Sequence, residues 1–148
     1  MTEAEPDSRG DAQRHFEVQL FIVHPTLDPG EISRILGLEA HFSHRVGDRR
    51  RTPKRLLSGT YSDTRWRHCT RYTVAEQHFA SNVIGFVERL EAHKDFLANL
   101  TSTGGKASIT VCFLGDGYFG DELRPATLAK LADLGLALAV ECFAAPQS

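Results

Sequence analysis

Gly59 to Val74 reads GTYSDTRWRHCTRYTV, and the fold turns on how this stretch is read. Threonine, tyrosine and tryptophan dominate it, side chains that suit a pleated, half-buried surface. Tyr61, Trp66, Cys69 and Tyr72 do not hold a strict period of two. The stretch is therefore one strand or a hairpin, with a bulge or turn expected near Asp63.

Upstream, Phe16 to Val23 (FEVQLFIV) begins in alternation and ends fully apolar, which predicts a largely buried strand stopped by His24-Pro25. Asp28 then offers a helix N-cap, Pro29 a first helical position and Glu31 an acid in the first turn. Ile32, Ile35 and Leu36 supply the apolar face and Gly37 the stop. From Glu39 to Ser58 periodicity gives way to charge, so a loop is expected, with one short strand around Phe42–Val46. Downstream, Glu76 to Leu100 repeats apolar residues at three- and four-residue steps, an amphipathic helix with a break permitted near His93–Lys94. Ser108 to Leu114 (SITVCFL) predicts a buried strand. Arg124-Pro125 opens a last helix with Leu128, Leu131 and Leu134 turned inward and Gly135 as its stop, and Leu136 to Phe143 closes as a strand.

Alternation of helices with strands fits a doubly wound parallel sheet. The strands number only four or five, however, and the Gly59–Val74 region is hairpin-like. The expected fold class is therefore α+β: a mainly antiparallel four- or five-stranded sheet with helices on one face, ferredoxin-like. At 148 residues, with 41% apolar residues and 24% charged ones, the chain has the length and composition of one ordinary domain. Residues 1–14 hold almost nothing to bury and are expected to form a mobile tail, leaving 15–145 as a single domain. No apolar run approaches the ~20 residues of a membrane span, and residues 1–14 lack the apolar centre of a secretory signal. Cys69, Cys112 and Cys142 are odd in number and widely spaced, so no disulfide framework is expected and a reducing cytoplasm is the consistent compartment. Cys112 and Cys142 lie inside apolar runs and read as small core residues.

The net charge of −2 conceals a division. Between His41 and Arg71 stand nine bases against two acids, a charge of +7, so the remaining residues carry −9. Arg45, Arg49, Arg50, Arg51, Lys54, Arg55, Arg65, Trp66 and Arg67 are the candidate partner-binding residues on this segment. They suit an acidic protein partner or self-association. The aromatics Tyr61, Trp66 and Tyr72 nearby keep a second reading open, single-stranded nucleic acid held by charge and stacking. A sequence pI of about 6.4 weighs against that, since nucleic-acid-binding domains typically exceed a pI of ~9.

Other constellations carry less. Gly115-Asp116-Gly117-Tyr118-Phe119-Gly120 has the G-x-G-x-x-G spacing of a dinucleotide loop, with Glu141 further on. Yet the helix should open within such a loop so that its amides hold the pyrophosphate. Here Pro125 starts it five residues past Gly120, and Asp116, Asp121 and Glu122 would repel a phosphate. No cofactor is expected. His41 and His44, with His24 or Asp48, lack the sulfur ligands and supporting partners of a structural zinc site, so no metal is expected. His68-Cys69 would point to opposite faces of a strand. No serine sits in a G-x-S-x-G elbow, and Glu88/Glu91 read as an exposed helical pair. No catalytic residue is assigned, although a pocket holding His68, Glu141 or the 115–122 loop would revive an enzymatic reading.

The strand Phe16–Val23, the run LDPGEISRILGL (Leu27–Leu38), Gly47-Asp48, Trp66, the helix ending at Leu90 and LAKLADLGLALAVECF (Leu128–Phe143) form an ordered series. Across residues 16–143 that series resembles the bacterial family termed domain of unknown function 4279. The resemblance supplies no catalytic motif. It implies a small cytoplasmic interaction or immunity-type protein. The run Arg49–Arg51 departs from the family pattern, which makes the basic patch a feature of this chain.

Overall fold

The computed structural model describes residues 15–73, 78–115 and 119–143. The tail expected over 1–14, the interior of the glycine-rich loop at 116–118 and the end of the expected domain at 144–145 lie outside them.

Strand β1 (His15–His24) buries Phe16, Val18, Leu20, Ile22 and His24 on one face by simple alternation. Helix α1 (Pro29–Leu36) follows with the expected punctuation. Asp28 Oδ1 accepts from the Gly30 amide at 2.8 Å, and Gly37, at φ 64°, donates to the Ser33 carbonyl. Positive φ is why glycine stands there. Next come β2 (Phe42–His44), β3 (Arg49–Arg51), β4 (Leu56–Thr60) and β5 (Thr64–Thr73). The Gly59–Val74 stretch thus divides at a turn through Asp63, as its broken alternation implied. Helices α2 (Phe79–Glu91) and α3 (Lys94–Ser102) are separated at Ala92–His93, the permitted break. Strand β6 (Lys106–Leu114), helix α4 (Pro125–Asp133) and strand β7 (Leu136–Phe143) complete the order.

Five strands form the main sheet in the order β2-β5-β1-β6-β7, and β3 and β4 form a separate two-stranded hairpin. β1 is central, antiparallel to β5 on one side and to β6 on the other. β6 and β7 are parallel, because the α4 crossover returns the chain to the end at which β6 began. The α+β, mainly antiparallel expectation holds in this mixed form. The β-α-β-β-α-β order of a ferredoxin-like fold is not reproduced.

One cluster makes the core. Phe16, Val18, Leu20 and Ile22 meet Trp66 of β5, Ile109 and Val111 of β6, and Val83, Val87, Leu90, Leu97, Leu100 and Leu131 from the helices. Trp66 is fully buried, and its indole N–H donates to Ser33 Oγ at 2.9 Å, tying β5 to α1. Helix α2 has no local side-chain cap; Asp121, from the far side of the glycine-rich loop, accepts from the Ala80 amide instead. An acid at a helix N-terminus satisfies a free amide and opposes the dipole.

Three local expectations are corrected. Arg49–Arg51 is a strand rather than loop, because its backbone pairs with β4. Leu128 is exposed: the inward stripe of α4 runs through Thr127 and Leu131. Cys142 is exposed because β7 is an edge strand, whereas Cys112 is buried as expected.

Candidate functional site

Alternation along β5 sorts the candidate residues. Trp66 points into the core beneath the helices, so it is withdrawn from the surface set. Arg65 and Arg67 occupy the opposite face. Arg65 pairs with Asp63 at 3.1 Å. Arg67 lies with its guanidinium 5.0 Å from the Phe21 ring and 5.8 Å from that of Phe42, cation–π contacts on the open face of the sheet, and its buried Nε has no hydrogen-bond partner.

The three consecutive arginines of β3 are divided the same way. Arg49 and Arg51 line a groove of about 580 Å³ together with Asp48, with Phe42, Ser43 and His44 of β2, with Thr52, Pro53 and Leu56 of the hairpin, and with Tyr61. Arg50 looks into a separate depression of about 390 Å³ shared with Asp63 and Arg65. Lys54 and Arg55 occupy the exposed hairpin turn, where Thr52 organises the backbone by accepting from the amides of both. Arg45 stands apart, paired with Asp28 at the start of α1 at 3.5 Å. Among the described residues no carboxylate forms a salt bridge with Arg49, Arg50, Arg51, Lys54 or Arg55.

His44 and Tyr61 form the groove's floor. Their rings stack at 3.7 Å, and Phe42 meets His44 edge-on at 5.8 Å. The Tyr61 hydroxyl accepts from the Arg51 amide and donates to the Arg51 carbonyl, both at 3.2 Å, which fastens the hairpin to the sheet. Asp63 approaches His44 Nε2 at 3.5 Å. Burial alone would raise the Asp63 carboxyl, but the bonds from Arg65 and His44 outweigh it and hold it below the ordinary carboxylate range. The groove wall itself sets one acid, Asp48, against Arg49 and Arg51, with Phe42 and Leu56 exposed beside them.

Sequence reading overlooked Leu56 and the pairing of His44 with Tyr61. The usable signal was the alternation of Phe42-Ser43-His44, which places a phenyl and an imidazole on one side of a short strand.

The remaining constellations stay apart. His68 is packed between Trp66 and Phe86, with Nδ1 at 2.7 Å from the Glu39 carbonyl, on the helix-bearing face. Glu141 lies on the opposite face of β7, so the two do not share a pocket. His41 accepts from the Cys69 amide rather than joining a ligand set, and among the described residues no three His, Cys, Asp or Glu side chains are grouped to hold a metal. Cys69 is a poor nucleophile: burial, and then the Glu17 carboxylate beside it, push its thiol up to about 11. Glu17 itself is held low, because bonds from Arg71, Gln19 and Cys69 outweigh its burial. No helix among the described residues is long and apolar enough to cross a membrane.

Residues 14–143 match the family described as Domain of unknown function (DUF4279). The chain belongs to this family. The match runs from the first residues of β1 to the end of β7, so the groove and its hairpin lie inside the family's domain rather than in an appendage to it. No curated protein and no solved structure matches the chain.

Proposed function

We propose that this protein is a non-enzymatic binding module that holds an acidic segment of a partner protein in the groove between β2 and the β3–β4 hairpin. One observation carries the reading. Arg49 and Arg51, which form no described salt bridge and outnumber the single groove acid Asp48, face the same groove as the exposed apolar side chains of Phe42 and Leu56. Cation and apolar surface side by side suit a peptide that alternates carboxylates with an aliphatic or aromatic anchor. The groove's volume lies in the range of sites that enclose a few side chains. Arg50, Arg65, Lys54 and Arg55 flank it and steer an acidic chain toward it. An immunity-type role, capping an acidic surface of a partner, is one form of this reading. Its three free cysteines suit a reducing cytoplasm.

Single-stranded nucleic acid is the second reading, favoured by exposed Phe42 beside two arginines. Against it, Tyr61 and His44 each already spend one stacking face on the other, and Leu56 and Pro53 offer no platform for a base.

The test is a titration with a glutamate-rich peptide bearing one phenylalanine, alongside a single-stranded RNA of equal charge. Arg49→Ser with Arg51→Ser should weaken the peptide about tenfold or more, about 1.4 kcal/mol, while Arg50→Ser alone does less. Equal peptide affinity in all variants, or RNA binding that is tighter and falls steeply with salt, overturns the assignment.

A further inference from the structure

The large apolar side chains exposed among the described residues are Phe42, Leu56, Leu128, Leu138, Val140 and Phe143. Phe42 and Leu56 belong to the groove. The other four gather on β7 and on α4, the helix packed against it. Leu138 and Val140 share a face of β7 with buried Leu136, but α4 covers only the Leu136 end, and Val140 is 62% exposed.

β7 is also an open edge. It pairs with β6 along one side, in unbroken register from Leu136 to Phe143, and no described residue pairs with the other side. The devices that usually blunt such an edge are proline, lysine, a bulge or short length. β7 has eight residues, no proline, no base and a single charge, Glu141. The opposite edge is protected: β2 has three residues and lies beside the arginine-bearing hairpin.

We propose that β7 pairs antiparallel with β7 of a second copy of this chain, joining the two sheets across a two-fold axis. The strand is complementary to itself in that direction, as a two-fold contact requires. A register centred on Ala139 sets Leu138 across from Val140, and one centred on Val140 sets Val140 across from Val140. In the first Glu141 faces Ala137, in the second Ala139. Neither opposes Glu141 to its own copy, which would be destabilising. The basic grooves, at the β2 edges, lie at the far ends of the joined sheet and stay open.

The test measures mass by light scattering over a dilution series, with hydrogen exchange on Leu136–Phe143. The expected result is a dimer that dissociates on dilution, with amides in β7 protected only in the dimer. Val140→Lys and Leu138→Lys each place a charge on an already exposed position, so the monomer should keep its fold, read by circular dichroism, and lose the dimer. Arg49→Ser with Arg51→Ser should leave the dimer intact. The proposal is overturned by a monomer at every concentration, by dimers that survive both lysine variants, by growth beyond the dimer, or by loss of the dimer in the arginine variant.

Discussion

The His44 imidazole and the Tyr61 phenol ring lie 3.7 Å apart and within 3° of parallel, and that stack joins the short edge strand to the hairpin that carries the arginines. Tyr61 has a second hold through its hydroxyl, bonded to both the amide and the carbonyl of Arg51. Tyr61→Phe keeps the stack and removes those bonds. It should speed hydrogen exchange at Arg49–Arg51 while lowering global stability by no more than about 1 kcal/mol. Tyr61→Ala removes both and should also weaken the acidic peptide. An unchanged exchange rate in both variants would show that the hairpin is held by something else.

His24 is buried at the end of β1, where Nδ1 accepts from the Thr26 and Leu27 amides and Nε2 meets Thr103 Oγ1 at 2.8 Å. Burial lowers its pKa below the ordinary 6.5. The unfolded chain therefore binds a proton more readily than the folded one, so stability rises with pH across this window. It should begin to fall as pH drops through 6.5 and go on falling to the lower folded value. Urea denaturation between pH about 8 and about 5 measures this, and His24→Gln should flatten the slope in the upper part of that range.

Two glycines should respond to alanine in opposite directions. A Cβ on Gly105 would lie 2.7 Å from the Leu100 carbonyl oxygen and 2.8 Å from the His24 ring, and since the carbonyl cannot yield cheaply the cost should be about 1–3 kcal/mol. Gly85 sits on the exposed side of α2 with nothing within 4 Å of a Cβ, so Gly85→Ala should stabilise by about 0.5–1 kcal/mol. Thermal melts of the two variants decide both.

Ser33→Ala leaves the buried Trp66 indole N–H without its acceptor. The expected cost is about 1–3 kcal/mol. Trp66 is the single tryptophan, so its fluorescence follows the same unfolding transition that reports the loss. A change within a few tenths of a kcal/mol would mean that water replaces the hydroxyl.

Much of the architecture was legible locally. Asp28, Pro29 and Gly37 mark α1 because capping and positive φ are demands of neighbouring backbone atoms. The apolar steps between Glu76 and Leu100 mark an amphipathic helix with a break permitted near His93–Lys94, because residues three and four apart share a helix face; the structure makes that break and gives two helices. Leu128 and Cys142 were misplaced because periodicity reports which residues share a face, and says nothing of how far a neighbouring element covers it. The parallel pairing of β6 with β7 was hidden too, since a crossover helix is compatible with more than one position and direction for the next strand.

The basic segment shows the same boundary. The order of residues alone determined that +7 is concentrated between His41 and Arg71 and that the fold class would be α+β with a mainly antiparallel sheet. Local charge and hydrophobicity are properties of residues and survive any fold. Only the tertiary structure decided that Arg49 and Arg51 share a groove with Phe42 and Leu56, that Arg50 faces elsewhere, and that Trp66 lies in the core. Those outcomes depend on strand register, which assigns alternate side chains to opposite faces, and register is set by hydrogen bonds between residues far apart in the chain.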